Sequence, residues 1–179
     1  MMNKFLLRRK IRKIATRSER ERVYQNLKEI RSVMVLFDAK NFEEANLFIQ
    51  HLKKMGKRIK VFAYKTPKDI YAYQDKSFSI VYKDNMQDMK GESLTQIVNS
   101  LSKEKFDLVV DLTLEENLLL LYILVSTNSL LKVGFHKHTP WVHDIVISLA
   151  PGAEQNVKEL GDQVIYYLSA ISSEGTKKG

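Results

Sequence analysis

The chain has 179 residues, the length of one domain with room for a short appendage. Its composition, 44% apolar and 28% charged with 7 Gly and 3 Pro, is that of a soluble globular protein, and it excludes collagen-like and wholly disordered chains. With 0 Cys, the sequence has no disulfide framework, no thiol nucleophile and no cysteine-ligated zinc site.

The formal net charge of +8 is concentrated at the amino terminus. Residues 1–22 carry nine Lys or Arg and two Glu, so the remaining 157 residues carry a net charge of only +1. A nucleic-acid-binding domain usually spreads its basic residues over the folded body. Any polyanion binding is therefore predicted to involve a short basic run: Arg8, Arg9, Lys10, Arg12 and Lys13.

Neither a secretory signal nor a membrane span is expected from the sequence. The apolar run at residues 5–7 is too short for a signal peptide, and basic residues follow it at once. The longest strongly apolar run, residues 118–125, has eight residues, whereas a membrane span needs about 20. We expect a cytoplasmic protein.

Helical periodicity opens the chain. Leu7, Ile11 and Ile14 recur at spacings of four and three, which predicts a basic amphipathic helix. Ser18 followed by Glu21 resembles a capping box and predicts that a second helix begins there. That second helix would carry three apolar residues: Val23, Leu27 and Ile30.

From residue 31 onward, apolar β-branched runs alternate with capped helical patterns. The predicted strands cover residues 32–37, 59–63, 78–82, 108–112, 131–135 and 145–149. The predicted helices cover residues 41–52, 66–73, 92–101, 114–125 and 154–171. Asn41 and Glu44 are expected to form a capping box at the start of the first of these helices, and Gly56 to follow its end.

This alternation predicts an α/β fold, a Rossmann-like three-layer sandwich with a mostly parallel sheet, preceded by a basic N-terminal helical arm. The domain organisation is predicted as follows: a basic helical arm over residues 1–30, the Rossmann-like domain over residues 31–172, and a disordered tail over residues 173–179.

Two resemblances attach to the predicted domain. The first concerns three consecutive segments: the run Phe106-Asp107-Leu108-Val109-Val110-Asp111-Leu112, a Leu-rich helix, and the run Leu131-Lys132-Val133-Gly134-Phe135. Together they resemble the N-terminal Rossmann-like half of heptosyltransferase-type glycosyltransferases. The basic first helix and the closing Tyr167-Leu168 helix resemble an uncharacterised Bacteroidetes-type bacterial family. In two-domain glycosyltransferases the nucleotide-sugar binds in a second half, which this chain is expected to lack. The first resemblance therefore implies a half without the donor site and without transferase activity.

The carboxyl ends of the strands are the ligand-binding edge of open α/β sheets. If the first and fourth strands are neighbours, four polar residues converge there and could bind a ligand hydroxyl or a divalent cation: Asp38, Asn41, Asp111 and Thr113. The simpler alternative, which we favour, is that the two carboxylates only accept backbone hydrogen bonds in their loops. The loop over residues 38–41 has no glycine, and no P-loop occurs elsewhere, so no nucleotide cofactor is expected.

Three further patterns are weighed against simpler structural roles. His136, His138 and His143-Asp144 have zinc-ligand chemistry, but Thr139-Pro140 between them favours a solvated loop, and no metal site is predicted. Glu115-Glu116 is expected to lie in the first turn of a helix. Aromatic residues interleaved with lysines could stack on single-stranded nucleic acid, although we favour their covering a sheet edge. They are Tyr64, Tyr71, Tyr73 and Phe78.

The arm and the whole chain each keep open alternatives. The arm could bind an anionic membrane surface, nucleic-acid phosphates, or a protein surface, either its own domain, a second copy or another partner. We favour docking on protein.

For the whole chain we favour a non-catalytic binding or interaction domain. The alternatives are a small-molecule enzyme that acts on a sugar or nucleotide-sugar in the crevice, and binding of nucleic acid or membrane through the arm.

Overall fold

The computed structural model describes residues 4–66, 78–82, 93–135, 140–148, 152 and 154–172. The helices within these residues are α1 (Lys4–Thr16), α2 (Phe42–Lys54), α3 (Leu94–Leu101), α4 (Leu118–Ser126) and α5 (Val157–Ala170). The strands are β1 (Ser32–Asp38), β2 (Arg58–Lys65), β3 (Phe78–Tyr82), β4 (Lys105–Asp111), β5 (Asn128–Phe135) and β6 (Ile145–Ile147).

The strands form one six-stranded sheet in the order β3-β2-β1-β4-β5-β6. Every neighbouring pair is parallel. This is the strand order of the doubly wound dinucleotide-binding fold. In it, successive strands are added toward one edge of the sheet from β1 to β3, and toward the other edge from β4 onward. The prediction that the first and fourth strands are neighbours is confirmed.

Both faces of the sheet are buried, as continuous apolar strands predict. In β1, Val33, Val35 and Phe37 face one apolar cluster, and Met34 and Leu36 face the other. The first cluster is covered by α2 and α5, and the second by α1, α3 and α4. The three-layer α/β architecture is confirmed.

The N-terminal segment differs from its prediction in one respect. After α1 the chain forms no second helix, so the prediction of a helix at Ser18 is wrong. The backbone N–H groups of Val23 and Leu27 donate instead to the carbonyl oxygens of Leu130 and Leu168, each at 3.1 Å. Leu27 is buried with the α2/α5 cluster, so long-range contacts outweigh the local helical period.

Helix α1 packs on the domain as the docking interpretation predicts. Leu7 and Ile11 are buried in the same cluster as α4, and Ile14 is partly buried against it. The helix therefore forms part of one of the two layers that cover the sheet. Beyond Thr66, the predicted helix over residues 66–73 lies outside the described residues, and so does the predicted tail over 173–179.

Within the described residues, no helix combines the length and the apolar character that crossing a bilayer requires.

Replacing Ile11, which is 2% exposed, by Asp should destabilise the whole domain, because a carboxylate would be placed between α1 and α4. We expect the free energy of unfolding to fall by roughly 3–5 kcal/mol in urea titrations. Arg9→Asp, on the exposed face of the same helix, is the matched control and should change stability by less than about 1 kcal/mol. Equal stability of the Ile11→Asp variant and wild type would show that α1 is dispensable to the core.

Candidate functional site

The carboxyl ends of β1 and β4 bring the predicted ligand residues to one edge of the sheet. Leu36 of β1 pairs with Asp111 of β4, and the N–H of Leu112 donates to the carbonyl oxygen of Leu36 at 2.8 Å. Asp38 lies two residues beyond Leu36 on β1, on the same face of the sheet as Asp111. The strands thus position both carboxylates at the boundary between β1 and β4, where the order in which strands are added to the sheet changes direction.

Asp38 is held by a residue that the sequence analysis did not single out. Asn117 donates from Nδ2 to Oδ1 of Asp38 at 3.0 Å. Oδ1 of Asn117 accepts from the N–H groups of Leu119 and Leu120 at 3.1 and 3.2 Å, and these two hydrogen bonds cap the N-terminus of α4. An Asn directly before an apolar helical run is a recognisable N-cap signal, so this residue could have been found from the sequence.

Because Asn117 caps α4, the helix begins at Leu118 and not at residue 114. The prediction that Glu115 and Glu116 lie in its first turn is therefore wrong. Glu116 instead accepts a two-pronged hydrogen bond from the guanidinium of Arg8, one of the predicted polyanion-binding residues. Lys40 approaches Glu115 at 3.8 Å on the exposed surface.

Asp111 is a buried carboxylate with several donors. Its Oδ1 accepts from the N–H of Thr113 at 3.0 Å and from Oγ1 of Thr113 at 2.6 Å. Its Oδ2 lies 3.0 Å from Nε2 of His143, whose side chain is almost fully buried. Buried carboxylates are stable when donors satisfy them, and this set does so. Asp111 and Thr113 therefore come together as predicted, joined by a histidine that the sequence placed in a solvated loop.

Gly134 makes the contact between His143 and Asp111 sterically feasible. It pairs with Asp111 in the β4–β5 register, and the imidazole of His143 lies directly over it. A Cβ at position 134 would sit 2.3 Å from Nε2 of His143, inside any real contact distance. The glycine of the Val-Gly-Phe motif is thus explained by close packing of an imidazole. No local sequence pattern around Gly134 indicates this contact.

Asn41 lies beyond Asp38, at the N-cap position of α2, but its side chain does not cap the helix. The predicted capping box with Glu44 is wrong, because Oε2 of Glu44 accepts instead from the N–H groups of Val157 and Lys158 at the start of α5. Nδ2 of Asn41 and Nδ1 of His143 are both buried, and neither has a hydrogen-bond partner among the residues that the structure describes. Such groups are rare in native proteins and call for an explanation.

A groove of about 330 Å³ lies between α2 and α5, away from these residues. None of the four predicted ligand residues lines it. Among the described residues no cluster of three or more His, Cys, Asp or Glu could hold a metal ion. His136 and His138 lie outside the described residues.

A second polar cluster joins the segment after α1 to β5 and β6. The guanidinium of Arg20 contacts both carboxylate oxygens of Asp144, and Nε of Arg22 donates to the same carboxylate at 3.0 Å. Asp144 also accepts from the N–H of Lys132 at 2.8 Å. The buried Nζ of Lys132 donates to the carbonyl oxygen of Leu124 at 2.7 Å, near the end of α4.

Burial, together with repulsion from Arg20 and Arg22, lowers the pKa of Lys132 to about 7, although Asp144 opposes this shift. A lysine in such surroundings is close to half neutral near neutral pH. The sequence gives no sign of it, because a lone Lys within a strand is ordinarily an exposed residue.

A family model described as "Family of unknown function (DUF6913)" matches residues 3–171. The chain belongs to this family. No curated protein and no solved structure matches it. The match to the DUF6913 model spans α1 as well as the sheet and all of its covering helices, in agreement with the packing of α1 into the domain.

Gly134→Ala in this DUF6913 protein should displace His143 from Asp111 and destabilise the fold by about 1–3 kcal/mol, because the new methyl group overlaps the imidazole. A double-mutant cycle checks the cause. In a His143→Ala background the same Gly134→Ala change should be nearly neutral, which gives a coupling free energy of about 1 kcal/mol or more. Additive effects of the two substitutions would contradict the assigned packing.

Lys132 should make stability depend on pH. Its pKa in the folded state is about 7, below the value near 10.5 of the unfolded chain, so between these values the unfolded state binds more protons. The free energy of unfolding should therefore rise with pH in this window, by up to about 1 kcal/mol per pH unit. Urea titrations at several pH values from 7 to 9 should show this rise in wild type and lose it in Lys132→Met. Parallel pH profiles of the two proteins would contradict the buried, partly neutral lysine.

Proposed function

We propose that this protein is a binding domain, not a stand-alone enzyme, and that it takes a small hydroxyl-rich ligand of the sugar class at the carboxyl edge between β1, β4 and β5. The proposal rests on Nδ2 of Asn41, just beyond β1, and on Nδ1 of His143, whose ring contacts Asp111 at the end of β4. Both nitrogens are buried and have no hydrogen-bond partner among the described residues. A ligand would supply the missing hydrogen bonds.

The chemistry of the two nitrogen atoms indicates the class of ligand. Nδ2 of Asn41 is a donor and needs an acceptor. A carboxylate only accepts, so the imidazole of His143 donates to Asp111 from Nε2, and when the ring is neutral its Nδ1 is an acceptor. A hydroxyl group both accepts and donates, so a polyhydroxyl compound satisfies both nitrogens. The carboxylates of Asp38 and Asp111 disfavour an anionic ligand at the same edge.

The carboxylates themselves favour a binding role over catalysis. Asp38 is held by Asn117, and Asp111 by Thr113 and His143. Groups held in this way orient their neighbours and stabilise the edge. The resemblance to one half of a heptosyltransferase-type glycosyltransferase points to the same ligand class, a sugar or a sugar-containing molecule.

A small-molecule enzyme is the second candidate, favoured by one feature. The Asp111–His143 pair leaves Nδ1 of the imidazole without a partner, the arrangement of a histidine base oriented by a carboxylate. Hydrolysis or transfer of a sugar by wild type, with a kcat that falls far more than KM changes in His143→Gln, would favour this candidate over the binding domain.

Asn41→Ala tests the proposal, because within the described part of the chain Nδ2 of Asn41 has no partner to lose. Thermal-shift measurements would cover neutral mono- and oligosaccharides, nucleotide-sugars and divalent cations. We expect a neutral sugar to stabilise wild type, by about 2.7 kcal/mol at 100 times its dissociation constant. Asn41→Ala should abolish this shift and leave the ligand-free melting temperature equal or higher, since it removes an unsatisfied buried group.

Asn46→Ala is the matched control, because Asn46 lies within α2 and its Oδ1 accepts a hydrogen bond from Nε2 of Gln50 at 3.2 Å. It should keep the full ligand shift. Stabilisation by cations or nucleotide-sugars alone, or an undiminished sugar shift in Asn41→Ala, would contradict the proposed binding edge.

A further inference from the structure

The orientation of α1 on the domain is fixed by its apolar stripe. Leu7 and Ile11 are buried against α4, and Ile14 and Ala15 pack beside them. At 100° per residue, the opposite side of this helix is centred on Arg9. One face of α1 is therefore committed to the core, and the other is presented to the surroundings.

The presented face is strongly basic. Helix α1 contains six Lys or Arg and no acidic residue. Two of the six have partners on the domain: Arg8 pairs with Glu116, and Nζ of Lys10 lies 4.8 Å from the ring centre of Tyr122. The other four are exposed, and none has an acidic partner within the part of the chain that the structure describes. Three of them, Arg9, Arg12 and Lys13, lie on the outward side of the helix, and the fourth, Lys4, lies at its first residue on the packed side.

Large apolar side chains flank these charges at both ends of the helix. Phe5 and Leu6 in the first turn are 68% and 54% exposed. Trp141, 51% exposed, lies near the other end, where it lines a small cavity together with Ala15 and Ser18. A helix of 13 residues is about 20 Å long, so Phe5 and Leu6 lie at one end of a basic strip of that length, whereas Trp141 lies beside Ala15, at the margin of the packed side.

Basic and exposed apolar side chains on the same helix favour one of two classes of anionic partner, nucleic acid or an anionic bilayer. Duplex nucleic acid is bound mainly through its phosphate groups by Lys and Arg, and it offers no apolar layer for an exposed Leu side chain. Surface-lying helices on anionic bilayers use both kinds of residue: basic side chains at the headgroups, and Phe, Leu or Trp at the boundary with the acyl chains.

We propose that the outer face of α1 docks this protein onto the surface of an anionic lipid bilayer. Helix α1 lies parallel to the membrane plane while its inner face stays packed on α4. Arg9, Arg12 and Lys13 contact the lipid headgroups, and Leu6 enters the interface. This site is separate from the carboxyl edge of the sheet and does not depend on the ligand proposed there.

Vesicle co-sedimentation of the full chain tests the proposal, with phosphatidylcholine vesicles that contain or lack phosphatidylserine. We expect binding only when phosphatidylserine is present, with affinity that falls as salt is added. The triple variant Arg9→Gln/Arg12→Gln/Lys13→Gln should bind about 10- to 100-fold more weakly. Leu6→Ser should weaken binding severalfold without lowering the melting temperature.

The control is Lys28→Gln/Lys54→Gln/Lys103→Gln, which removes the same charge from exposed residues outside α1 and should bind within about twofold of wild type. Absence of binding to phosphatidylserine vesicles, or equal loss in the two triple variants, would overturn the proposal. So would tighter binding to duplex DNA than to vesicles with Leu6→Ser unaffected, a result that would assign the face to nucleic acid.

Discussion

Burial of both faces of one parallel sheet is the constraint on which the rest of this structure depends. Alternate residues of each strand point to opposite sides, so each side needs its own layer of helices. Helices α2 and α5 supply one layer. On the other side α4 spans only nine residues, and α1 and α3 complete the cover. Helix α1 therefore packs as part of the domain, and its basic side faces outward.

The same constraint produces the candidate site. Parallel strands end at one edge, where apolar residues give way to polar groups that lack the sheet's own hydrogen bonds. At this edge Asn117 joins Asp38 to the cap of α4, and His143 joins Asp111 across Gly134. These contacts lock the ends of β1, β4 and β5 together. Among the described residues, Nδ2 of Asn41 and Nδ1 of His143 remain without hydrogen-bond partners, and the proposed ligand would contact these atoms.

Much of the fold was predictable, because strand burial and helix capping are local signals. The continuous run of β1 and the buried helix α4 follow from their apolar sequences. The segment after α1 was not predictable in the same way. Its hydrogen bonds go to Leu130 and Leu168, more than one hundred residues away, and Arg20 contacts Asp144 across a similar separation. Local periodicity carries no information about such partners.

The site was predictable only in part, for a related reason. The strand ends placed Asp38 and Asp111 at one edge, as the order of elements implied. The role of His143 depends on how β6 lies against β5, and that of Gly134 on the ring above it; neither spacing nor composition shows this. Asn41 matched a cap signal, but its expected partner Glu44 is used by α5 instead. Long-range competition for hydrogen bonds decided both outcomes.

The proposed ligand at the edge between β1, β4 and β5 would contact Nδ2 of Asn41 and Nδ1 of His143, two buried nitrogens without a partner among the described residues. The most direct measurement is nuclear magnetic resonance of the ¹⁵N-labelled protein during titration with a sugar that binds it. The side-chain amide of Asn41 and the imidazole nitrogens of His143 should shift together with one saturation curve, while the side-chain amide of Asn46 stays fixed. Saturable sugar binding that leaves both Asn41 and His143 unmoved would contradict the account.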